Sequence, residues 1–356
     1  MKKTAEILTA GLFCLFLLGM AAAYLFQPEK TFSEREKRYL AEKPALTAEN
    51  ILSGDWGEEA EAYLADHMPG RDFFVGLNAY FEKYTFRQKA KDIWIQDGCL
   101  LEAPKKMDPA TIEKNMRASL SFREKTELPL DLMIIPTPGF LREIPEYEDG
   151  EILDAVCEKA GSKIQTVDLR QVLTPDHFYK TDHHWTSEGA YQGYKTYVNS
   201  LGMTPRQDFQ KETHQGFQGS AYSRSGLWLT PGEPIELYLG SEDLTAEVGE
   251  AVHRGIFWRE NLQKEDKYTV FLGGNHPLVR IKNPNGQGKL LVIRDSFSNC
   301  LGGFLAEFFE EVVLVDLRYY KQPVSALAEL ETFDRVLVCY GIQNFLTDRN
   351  IVFLQR

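Results

Sequence analysis

The stretch that decides the fold reads Leu290-Leu291-Val292-Ile293-Arg294-Asp295-Ser296-Phe297-Ser298-Asn299. Its first four residues form a short apolar run, which is typical of a strand buried on both faces of a sheet. The residues that follow begin a helical pattern over about 297 to 308. A buried strand followed at once by a helix is the repeating unit of parallel sheets.

The same alternation extends in both directions along the chain. Apolar runs that predict strands cover residues 130–135, 164–169, 312–315 and 336–339. Helical patterns lie between and after them, at about 109–124, 150–160, 187–200, 322–330 and 343–354. This order predicts an α/β fold, a three-layer α/β/α domain with a mostly parallel sheet. In such sheets ligands bind beyond the carboxyl ends of the strands.

Other segments predict the domain organisation. Residues 56–88 have helical spacing interrupted by Pro69-Gly70, which predicts two short helices. Asp97-Gly98 between short apolar runs predicts a hairpin over about 93–101. Residues 205–285 lack long helices, and we expect an insertion of loops and short strands that walls one side of a cleft. The predicted parts are an anchor or signal (1–27), a stalk and helical lead-in (28–90) and a main domain (91–356).

The N-terminus predicts a membrane segment. Lys2 and Lys3 precede an almost uncharged run of about 20 residues at 7–26, the length that crosses a bilayer as a helix. Flanking lysines stay in the cytoplasm, so the rest of the chain is expected outside it, at the cell surface or in the periplasm. The alternative is a cleaved signal peptide, for which residues 21–23, all alanine, offer a small-residue site.

Composition excludes some partners and cofactors. The formal net charge is −12 and no block of Lys or Arg occurs, which argues against nucleic acid as a ligand. The five cysteines form no Cys-x-x-Cys pair, so a zinc ribbon or a thioredoxin-type site is not expected. Cys300 and Cys339 lie in apolar surroundings, which favours buried thiols, with a bridge between them as the alternative.

Ser296 is the first candidate for chemistry. Its position after a strand puts the hydroxyl at the carboxyl edge of the sheet. Its backbone N–H would lie at a helix N-terminus, where a developing oxyanion is stabilised. The alternative is that Asp295 or Ser296 caps the following helix, as these residue types commonly do.

A second polar segment contains the candidate base. Asp182 and His184 are two residues apart, so a tight loop can fold the carboxylate back onto the imidazole. A nucleophilic serine needs such a base, and the base needs an orienting carboxylate. The alternative role of the segment is structural, with Thr186 or Ser187 capping the next helix and Trp185 packing beneath it.

A metal site is the rival interpretation of this segment. Five possible ligands fall within nine positions, namely Asp176, His177, Asp182, His183 and His184. Imidazole and carboxylate groups suit zinc or iron. Their spacing matches no standard zinc motif, so we predict neither a metal nor another cofactor.

These motifs resemble those of a known family. Asp182-His183-His184-Trp185, followed by Thr-x-x-Gly-Ala-Tyr at 186–191, is similar to the signature of the DHHW proteins, and residues 294–297 are similar to that family's serine segment. The chain also resembles the alginate O-acetyltransferases, which are atypical SGNH hydrolases. With the leading segments at 66–72 and 96–100, the resemblance covers about residues 32–348.

The resemblance implies roles for the three residues. Ser296 would be the nucleophile, His184 the general base and Asp182 its orienting carboxylate, in the chain order that the alginate group has. It implies an SGNH-like fold and transfer of an acyl group, above all acetyl, to an exopolysaccharide or cell-wall glycan, or hydrolysis of such an ester. It also implies a membrane-bound O-acyltransferase that supplies the acetyl group.

The chain departs from that pattern in places. Gln343-Asn344 stand where the alginate enzymes have Glu-Arg, and Arg294 stands where they have a small residue. Asn344 and the Ser296 N–H become the candidate oxyanion donors, with a helix cap as the alternative for Asn344.

Three further residues are candidates for substrate contact. Gly219 lies in a loop that resembles one of the DHHW group and could line the cleft. Trp185 and Tyr222 could stack on sugar rings, with core packing as the alternative for each.

Two rival functions follow from these departures and from the histidines. One is a non-catalytic protein that binds or assembles polysaccharide with the same fold. The other is a metal-dependent hydrolase that uses the His/Asp cluster.

Overall fold

A computed structural model describes residues 2–33, 35–36, 38–87, 89–327 and 330–355. The chain forms two compact units. The first comprises residues 1–92 with 222–229, and the second comprises residues 93–221 with 230–356. Each unit has its own set of helices and strands.

The N-terminal part, up to residue 92, is mainly helical. Its elements are α1 (Lys2–Phe26), β1 (Phe32–Ser33), β2 (Arg38–Tyr39), α2 (Ala48–Ser53), α3 (Asp55–Asp66), α4 (Arg71–Glu82) and β3 (Lys89–Ala90). The segment Lys3–Phe26 has a mean hydropathy of 2.1, so it is long and apolar enough to cross a membrane. The two helices predicted over 56–88 are confirmed as α3 and α4, and Gly70 between them adopts a positive φ of 69°.

From residue 93 onward the chain alternates strands and helices. Its elements are β4 (Ile93–Gln96), β5 (Cys99–Glu102), α5 (Pro109–Thr126), β6 (Leu130–Ile135), α6 (Pro138–Leu141), α7 (Asp149–Ala160), β7 (Gln165–Val167), α8 (Ser187–Ser200), β8 (Gln210–Phe217), α9 (Ser220–Ser225), β9 (Glu233–Leu239), β10 (Thr245–Val248), β11 (Ala251–Arg254), β12 (Leu278–Lys282), β13 (Lys289–Arg294), α10 (Ser298–Ala306), β14 (Glu311–Val315), β15 (Arg335–Gly341) and α11 (Ile342–Thr347). All five strands predicted for the parallel sheet are present.

The central sheet has the strand order β11-β10-β12-β14-β13-β15-β6-β7. The five strands from β14 to β7 run parallel to one another. The three strands β12, β10 and β11 continue the sheet in antiparallel fashion. The predicted α/β class with a mostly parallel sheet is therefore confirmed. Residues 205–285, predicted as an insertion of loops and short strands, contribute the three antiparallel strands β10, β11 and β12 to this sheet.

Side chains of the parallel strands alternate between two cores. Val292 and Leu314 join α8 and α10 in one cluster, which includes Tyr194 and Leu305. Their neighbours Leu291, Ile293 and Val313 join α5, α7 and α11 in the other. Helices thus cover both faces, which explains why these strands are continuous apolar runs rather than alternating ones. The carboxyl ends of β13, β15 and β6 stay open at one edge.

The predicted hairpin at 93–101 is confirmed, with β4 and β5 paired from Ile93↔Glu102 to Gln96↔Cys99. Asp97 and Gly98 at its turn have positive φ angles of 48° and 77°. Both central residues of a type I′ turn need such angles, and Asp-Gly adopts them at low cost.

Two predicted helices are wrong in whole or in part. The pattern at 322–330 forms only 3₁₀ turns, Val324–Ala326 and Leu330–Thr332, with residues 328 and 329 outside the described part. The pattern at 343–354 forms α11 and a 3₁₀ turn, Ile351–Gln355. Asp348 separates these two because its carboxylate accepts hydrogen bonds from the backbone and side chain of Asn350 (2.8 and 2.6 Å). Such an Asx turn competes with the helical pattern.

The cysteines are free thiols, as expected. Cys99, Cys300 and Cys339 are buried, and none of the five, all within the described residues, forms a disulfide. Cys300 Sγ lies 3.8 Å from Ser187 Oγ, and Cys339 Sγ lies 3.9 Å from Met133 Sδ. The bridge between Cys300 and Cys339 that the sequence left open is absent.

Candidate active site

The segment 178–185 closes on itself as a short loop. Phe178 and Trp185 form an antiparallel bridge, and the Tyr179 N–H donates to the carbonyl of His184 (3.2 Å). Asp182, His183 and His184 therefore lie together at the tip. Thr186, just after the loop, caps α8 by accepting a hydrogen bond from the N–H of Gly189 (3.2 Å). The capping role and the polar tip thus coexist in one segment.

Ser296 lies between β13 and α10, at the carboxyl edge of the sheet. The N-cap of α10 is Phe297, which makes no side-chain cap hydrogen bond. Asp295 instead accepts the N–H of Phe297 (3.0 Å), and Ser296 turns its hydroxyl elsewhere. The Ser296 side chain therefore does not cap α10.

Three side chains from these two segments form a relay. His184 Nδ1 lies 2.6 Å from Asp182 Oδ1, and His184 Nε2 lies 2.8 Å from Ser296 Oγ. All three side chains are buried, with 3% exposure for Asp182, 7% for His184 and 8% for Ser296. This is the geometry of a serine hydroxyl beside a base that a carboxylate orients.

The Asp182 carboxylate is fixed by backbone donors as well. Oδ1 also accepts the N–H of His184 (2.9 Å), and Oδ2 accepts the N–H of Ser220 (2.6 Å). Gly219 precedes Ser220 and packs so tightly that a β-carbon there would lie 2.1 Å from Asp182 Oδ2. The glycine loop therefore lies behind the carboxylate and sets its position.

Burial and charge set the protonation states of the pair. Burial opposes the ionisation of Asp182, but the adjacent His184 and His183 and the hydrogen bonds from His184 outweigh it and hold the Asp182 pKa well below its usual range. Burial and the neighbouring His183 lower the pKa of His184 to about 4, although Asp182 acts in the opposite direction. The resting pair is an ionised carboxylate with a neutral imidazole, whose Nδ1 then donates to Asp182 and whose Nε2 can accept the serine proton.

Aromatic rings enclose the imidazole. The ring of Tyr268 is stacked on that of His184, with centroids 4.1 Å apart and planes inclined by 13°. Phe297 packs at 5.1 Å and 58°. These rings remove water from the imidazole, which is the main reason that its pKa is low.

His183 lies beside the relay and does not contact Ser296 in the hydrogen-bond chain. Its Nδ1 lies 2.7 Å from Ser220 Oγ, 3.3 Å from Asp182 Oδ1 and 3.7 Å from Glu102 Oε1. Asp182, His183 and His184 nevertheless bring one potential metal ligand each within 4.8 Å of one another. A metal bound there would have to replace a hydrogen bond of His184, because both of its ring nitrogens already have partners. Asp176 and His177 are not part of that group.

Asp295 joins the serine turn to the loop after β15. Its Oδ2 accepts the N–H of Gly341 (2.9 Å) and the side-chain amide of Asn344 (2.8 Å). Burial raises its pKa despite these donors. The amide of Asn344 carries a second hydrogen, so this contact holds Asn344 beside the serine turn while leaving that hydrogen for another acceptor.

Arg294 stands where the alginate enzymes have a small residue. Its side chain is fully buried next to the turn that carries Ser296. Its guanidinium donates to the side chain of Asn299 and to the carbonyl of His276, and it lies 4.0 Å from Asp316. Burial lowers the pKa of Arg294 while Asp316 acts in the opposite direction. The residue has a place in the interior rather than in the cleft.

The remaining candidates differ in their surroundings. Trp185 has no exposed surface, and its Nε1 donates to the carbonyl of Phe297 (3.1 Å), which fits core packing and leaves no ring face for a sugar. Tyr222 belongs to the other compact unit, where its ring packs edge-on against Trp228 at 5.7 Å.

Tyr268 and Ser220 were missed by the sequence-based prediction. Tyr268 lies in a 3₁₀ turn, Lys267–Val270, inside the segment that lacked helical or strand periodicity. Ser220 was noted only as part of the glycine loop, although its backbone N–H binds Asp182. Neither position carries a motif that would place it beside His184 or Asp182.

Comparisons with known proteins found one matching family model. Residues 163–315 match the DHHW protein family model, over a stretch that contains Asp182, His184 and Ser296. Over this stretch the chain is similar to the DHHW proteins.

Two solved structures have a similar fold. A DHHW family protein from Eubacterium siraeum matches with a TM-score of 0.64 and 20% identity, over 73% of this chain and 93% of that one. Bacillus cereus PatB1 with a sulfonyl adduct matches with a TM-score of 0.62 and 21% identity, over 74% and 98%. The O-acetyltransferase domain of Pseudomonas putida AlgJ is less similar, with a TM-score of 0.44 and 13% identity over 73% and 96%. No curated protein matches this chain.

Proposed function

We propose that this protein transfers an acyl group, above all acetyl, to or from a hydroxyl of a cell-surface glycan, through an acyl-enzyme on Ser296. The observation that carries the proposal is the continuous relay in which Asp182 contacts His184 at 2.6 Å and His184 contacts Ser296 at 2.8 Å. A neutral imidazole in that position is ready to accept the serine proton.

The chemistry follows from this arrangement. Ser296 Oγ attacks the acyl carbonyl of an ester while its proton moves to His184 Nε2. The imidazolium, stabilised by Asp182, then gives that proton to the departing alkoxide, and the acyl group stays on the serine. A sugar hydroxyl or water enters next, loses its proton to His184 and takes the acyl group, which restores the serine hydroxyl.

The tetrahedral intermediates need donors for their negative oxygen. We assign this role to the backbone N–H of Ser296 and the side-chain amide of Asn344. The bond from Asn344 to Asp295 supports the assignment, because it fixes the amide next to the serine turn (2.8 Å). Gly219 has a supporting role behind Asp182 rather than contact with substrate.

The acceptor and the donor are proposed from the family resemblance. The DHHW-like signature and the order Asp, His, Ser resemble the alginate O-acetyltransferases, which favours an exopolysaccharide or cell-wall glycan as acceptor. A membrane-bound O-acyltransferase that passes acetyl groups across the bilayer would supply the donor. We further propose an SGNH-like catalytic domain over residues 91–356, preceded by a stalk and lead-in at 28–90.

The location is proposed from the N-terminal helix. Lys2 and Lys3 stand at the start of α1, in which Lys3–Phe26 has the length and composition of a membrane span. With lysines in the cytoplasm, the helix would anchor a catalytic domain that faces outward. Fractionation of tagged cells tests this, and a catalytic domain protected from protease added to intact spheroplasts would contradict it.

A sulfonyl fluoride is the direct test of the nucleophile, chosen because the related PatB1 structure carries a sulfonyl adduct. We expect phenylmethanesulfonyl fluoride to modify Ser296 of the full-length protein in detergent, as located by peptide mass spectrometry. His184→Ala and Asp182→Asn should slow the labelling at least tenfold. Ser121→Ala, on α5, is the matched control and should label like the wild type. Modification of a serine other than Ser296 would overturn the proposal.

A metal-dependent hydrolase is the second candidate, because three ligand atoms of Asp182, His183 and His184 lie within 4.8 Å of one another. Cleavage of p-nitrophenyl acetate separates the two. A serine mechanism predicts that EDTA has no effect and that His184→Ala costs far more activity than His183→Ala. Equal losses in both variants, together with inhibition by EDTA, would favour the metal. An inert wild type that still binds glycan would favour the non-catalytic alternative.

A further inference from the structure

A small cavity opens beside the relay, at the carboxyl ends of β6 and β15. Its apolar walls are Leu100, Ile135, Pro136, Pro138, Phe297 and Ile342. The cavity volume is about 40 Å³, counted as the space open to the centre of a water-sized sphere. A single water needs about 10–15 Å³ on that measure. The cavity therefore has room for a short chain of a few carbon atoms and is too small for a sugar ring.

Several polar groups at its edge are engaged by the protein itself. Thr137 Oγ1 accepts the N–H of Phe140 (3.1 Å), and the Asn344 amide donates to Asp295. His183 Nδ1 lies 2.7 Å from Ser220 Oγ. Glu102 and Gln343 also line the cavity, and Gln343 Oε1 is buried without a hydrogen-bond partner among the described residues. No lysine or arginine stands among the described residues that line it, so an anionic ligand would meet the Glu102 carboxylate, whereas an alkyl group would exchange water for apolar contact.

The cavity adjoins the turn that carries Ser296. Phe297, which lines it, directly follows Ser296, and Gly341 and Asn344, which also line it, donate hydrogen bonds to Asp295. A carbonyl carbon bonded to Ser296 Oγ, with its oxygen directed at the Asn344 amide, has one remaining substituent. Phe297 and Ile342 offer apolar surface to that substituent.

Leu100 borders the cavity from the β5 strand, together with Leu101 and with Tyr147. Leu101 and Tyr147 also pack with Cys99 and Ile144 in a separate cluster, to which Leu100 does not belong. Leu100 is 3% exposed, so a change in its size alters the space left in the cavity with the least effect on that cluster.

We propose that this cavity binds the alkyl part of the acyl group and admits propionyl and butyryl chains as well as acetyl. The inference rests on the proposed function, since it places the acyl group of the Ser296 acyl-enzyme in the cavity. The reaction is unchanged: the ester acyl–oxygen bond breaks, the bond to Ser296 Oγ forms, and His184 carries the proton. Only the range of acyl groups is new.

A series of p-nitrophenyl esters tests this with the full-length protein in detergent. We expect kcat/KM to rise from acetate to propionate and butyrate by up to about fourfold per methylene, the factor for burial of one methylene. Hexanoate should fall below butyrate because the cavity is too short for it. A steady fall from acetate onward, with Ser296-dependent cleavage of acetate intact, would overturn the inference and leave the proposed function standing.

Substitutions at Leu100 test whether the preference for acyl chain length arises in this cavity. Leu100→Trp should lower the butyrate-to-acetate ratio about tenfold, and Leu100→Ala should move the optimum to a longer ester. Val252→Trp, at an exposed position of β11, is the control and should leave the ratio unchanged. If Leu100→Trp does not fold, the Leu100→Ala variant decides alone, and an unchanged optimum there would overturn the inference.

The labelling rates of methanesulfonyl and butanesulfonyl fluoride give a second measure of the chain-length preference. This measure does not require catalytic turnover. We expect the butyl reagent to label Ser296 faster, and Leu100→Trp to reverse the order. A faster methyl reagent in the wild type would contradict the cavity proposal. A protein that neither cleaves the esters nor reacts with either reagent would overturn the inference and the proposed function together.

Discussion

The rings of Tyr268 and His184 lie parallel, 4.1 Å apart, at the centre of the candidate site. The Tyr268 hydroxyl is buried and has no hydrogen-bond partner among the described residues. Its contribution to the site therefore comes from the ring, which fixes the plane of the imidazole and keeps water away from it.

Removal of that ring should change the titration of His184. In Tyr268→Ala, water reaches the imidazole, so the pKa of His184 should rise from about 4 towards its ordinary value of 6.5. The acid limb of kcat/KM should move upward with it. Tyr268→Phe retains the ring and should keep the wild-type profile. An acid limb that stays in place in a folded Tyr268→Ala variant would show that the ring does not set this pKa.

The wild-type protein should stay active in mild acid. Only the neutral imidazole accepts the serine proton, and burial lowers the pKa of His184 to about 4. We therefore expect kcat/KM to be nearly constant from pH 8 to about 5 and to fall by half near pH 4. Circular dichroism at each pH distinguishes this titration from unfolding. Half-maximal activity near pH 6.5 would contradict the prediction.

The same two groups should make the fold less stable in acid. Asp182 and His184 both have lowered pKa values in the folded protein, so the unfolded chain binds more protons as the pH falls. The free energy of unfolding should decrease from about pH 6.5 downward, through the His184 range first and the Asp182 range next. Urea titrations between pH 4 and 7 measure this. In Asp182→Asn the slope below pH 5 should be shallower.

Gly219 should tolerate no side chain. A β-carbon there would lie 2.1 Å from Asp182 Oδ2, so Gly219→Ala must displace the carboxylate that orients His184. A displacement of about 1 Å costs on the order of 100-fold in rate, and we expect a loss of about that size in kcat. Gly57→Ala is the control, because nothing lies within 4 Å of its added carbon. Normal activity in Gly219→Ala would argue against the assigned role of Asp182.

Arg294 should matter for stability. It is buried and donates to the Asn299 side chain and the His276 carbonyl, so Arg294→Met leaves these acceptors without their donor, while Asp316 keeps its ion pair with Arg318. A buried group left without its hydrogen bond typically costs about 1–3 kcal/mol. Urea denaturation should show a loss in that range, whereas Arg117→Met, on an exposed face of α5, should change the free energy of unfolding by less than about 0.5 kcal/mol. An equal loss in both variants would contradict the assigned role.

Much of the sheet could be predicted from the sequence because its strands are buried on both faces. Runs such as 130–135 and 290–293 have no polar alternation, and few other structures give that pattern. The antiparallel strands β10 to β12 were not foreseen as part of the sheet, because they are short and their pairing joins distant segments. The wrong helix at 343–354 has a local cause, since the Asx turn at Asp348 outweighs its helical spacing.

The part of the candidate site that lies in sequence motifs could be predicted. Asp182, His184 and Ser296 stand in recognisable segments, and the structure brings those segments together across 112 positions. Tyr268 and Ser220 contact His184 and Asp182 through ring packing and a backbone N–H. Their sequence neighbourhoods contain no motif for those contacts, so only the folded chain shows them.

The closed loop from Phe178 to Trp185 affects how the candidate site can evolve. It carries Asp182 and His184 on one covalent segment that its own backbone contacts close, while Ser296 lies 112 positions from His184 along the chain. The pair can thus be inherited as a module. A descendant that lost Ser296 would keep a folded, preassembled Asp182–His184 pair, and a single replacement could restore the nucleophile.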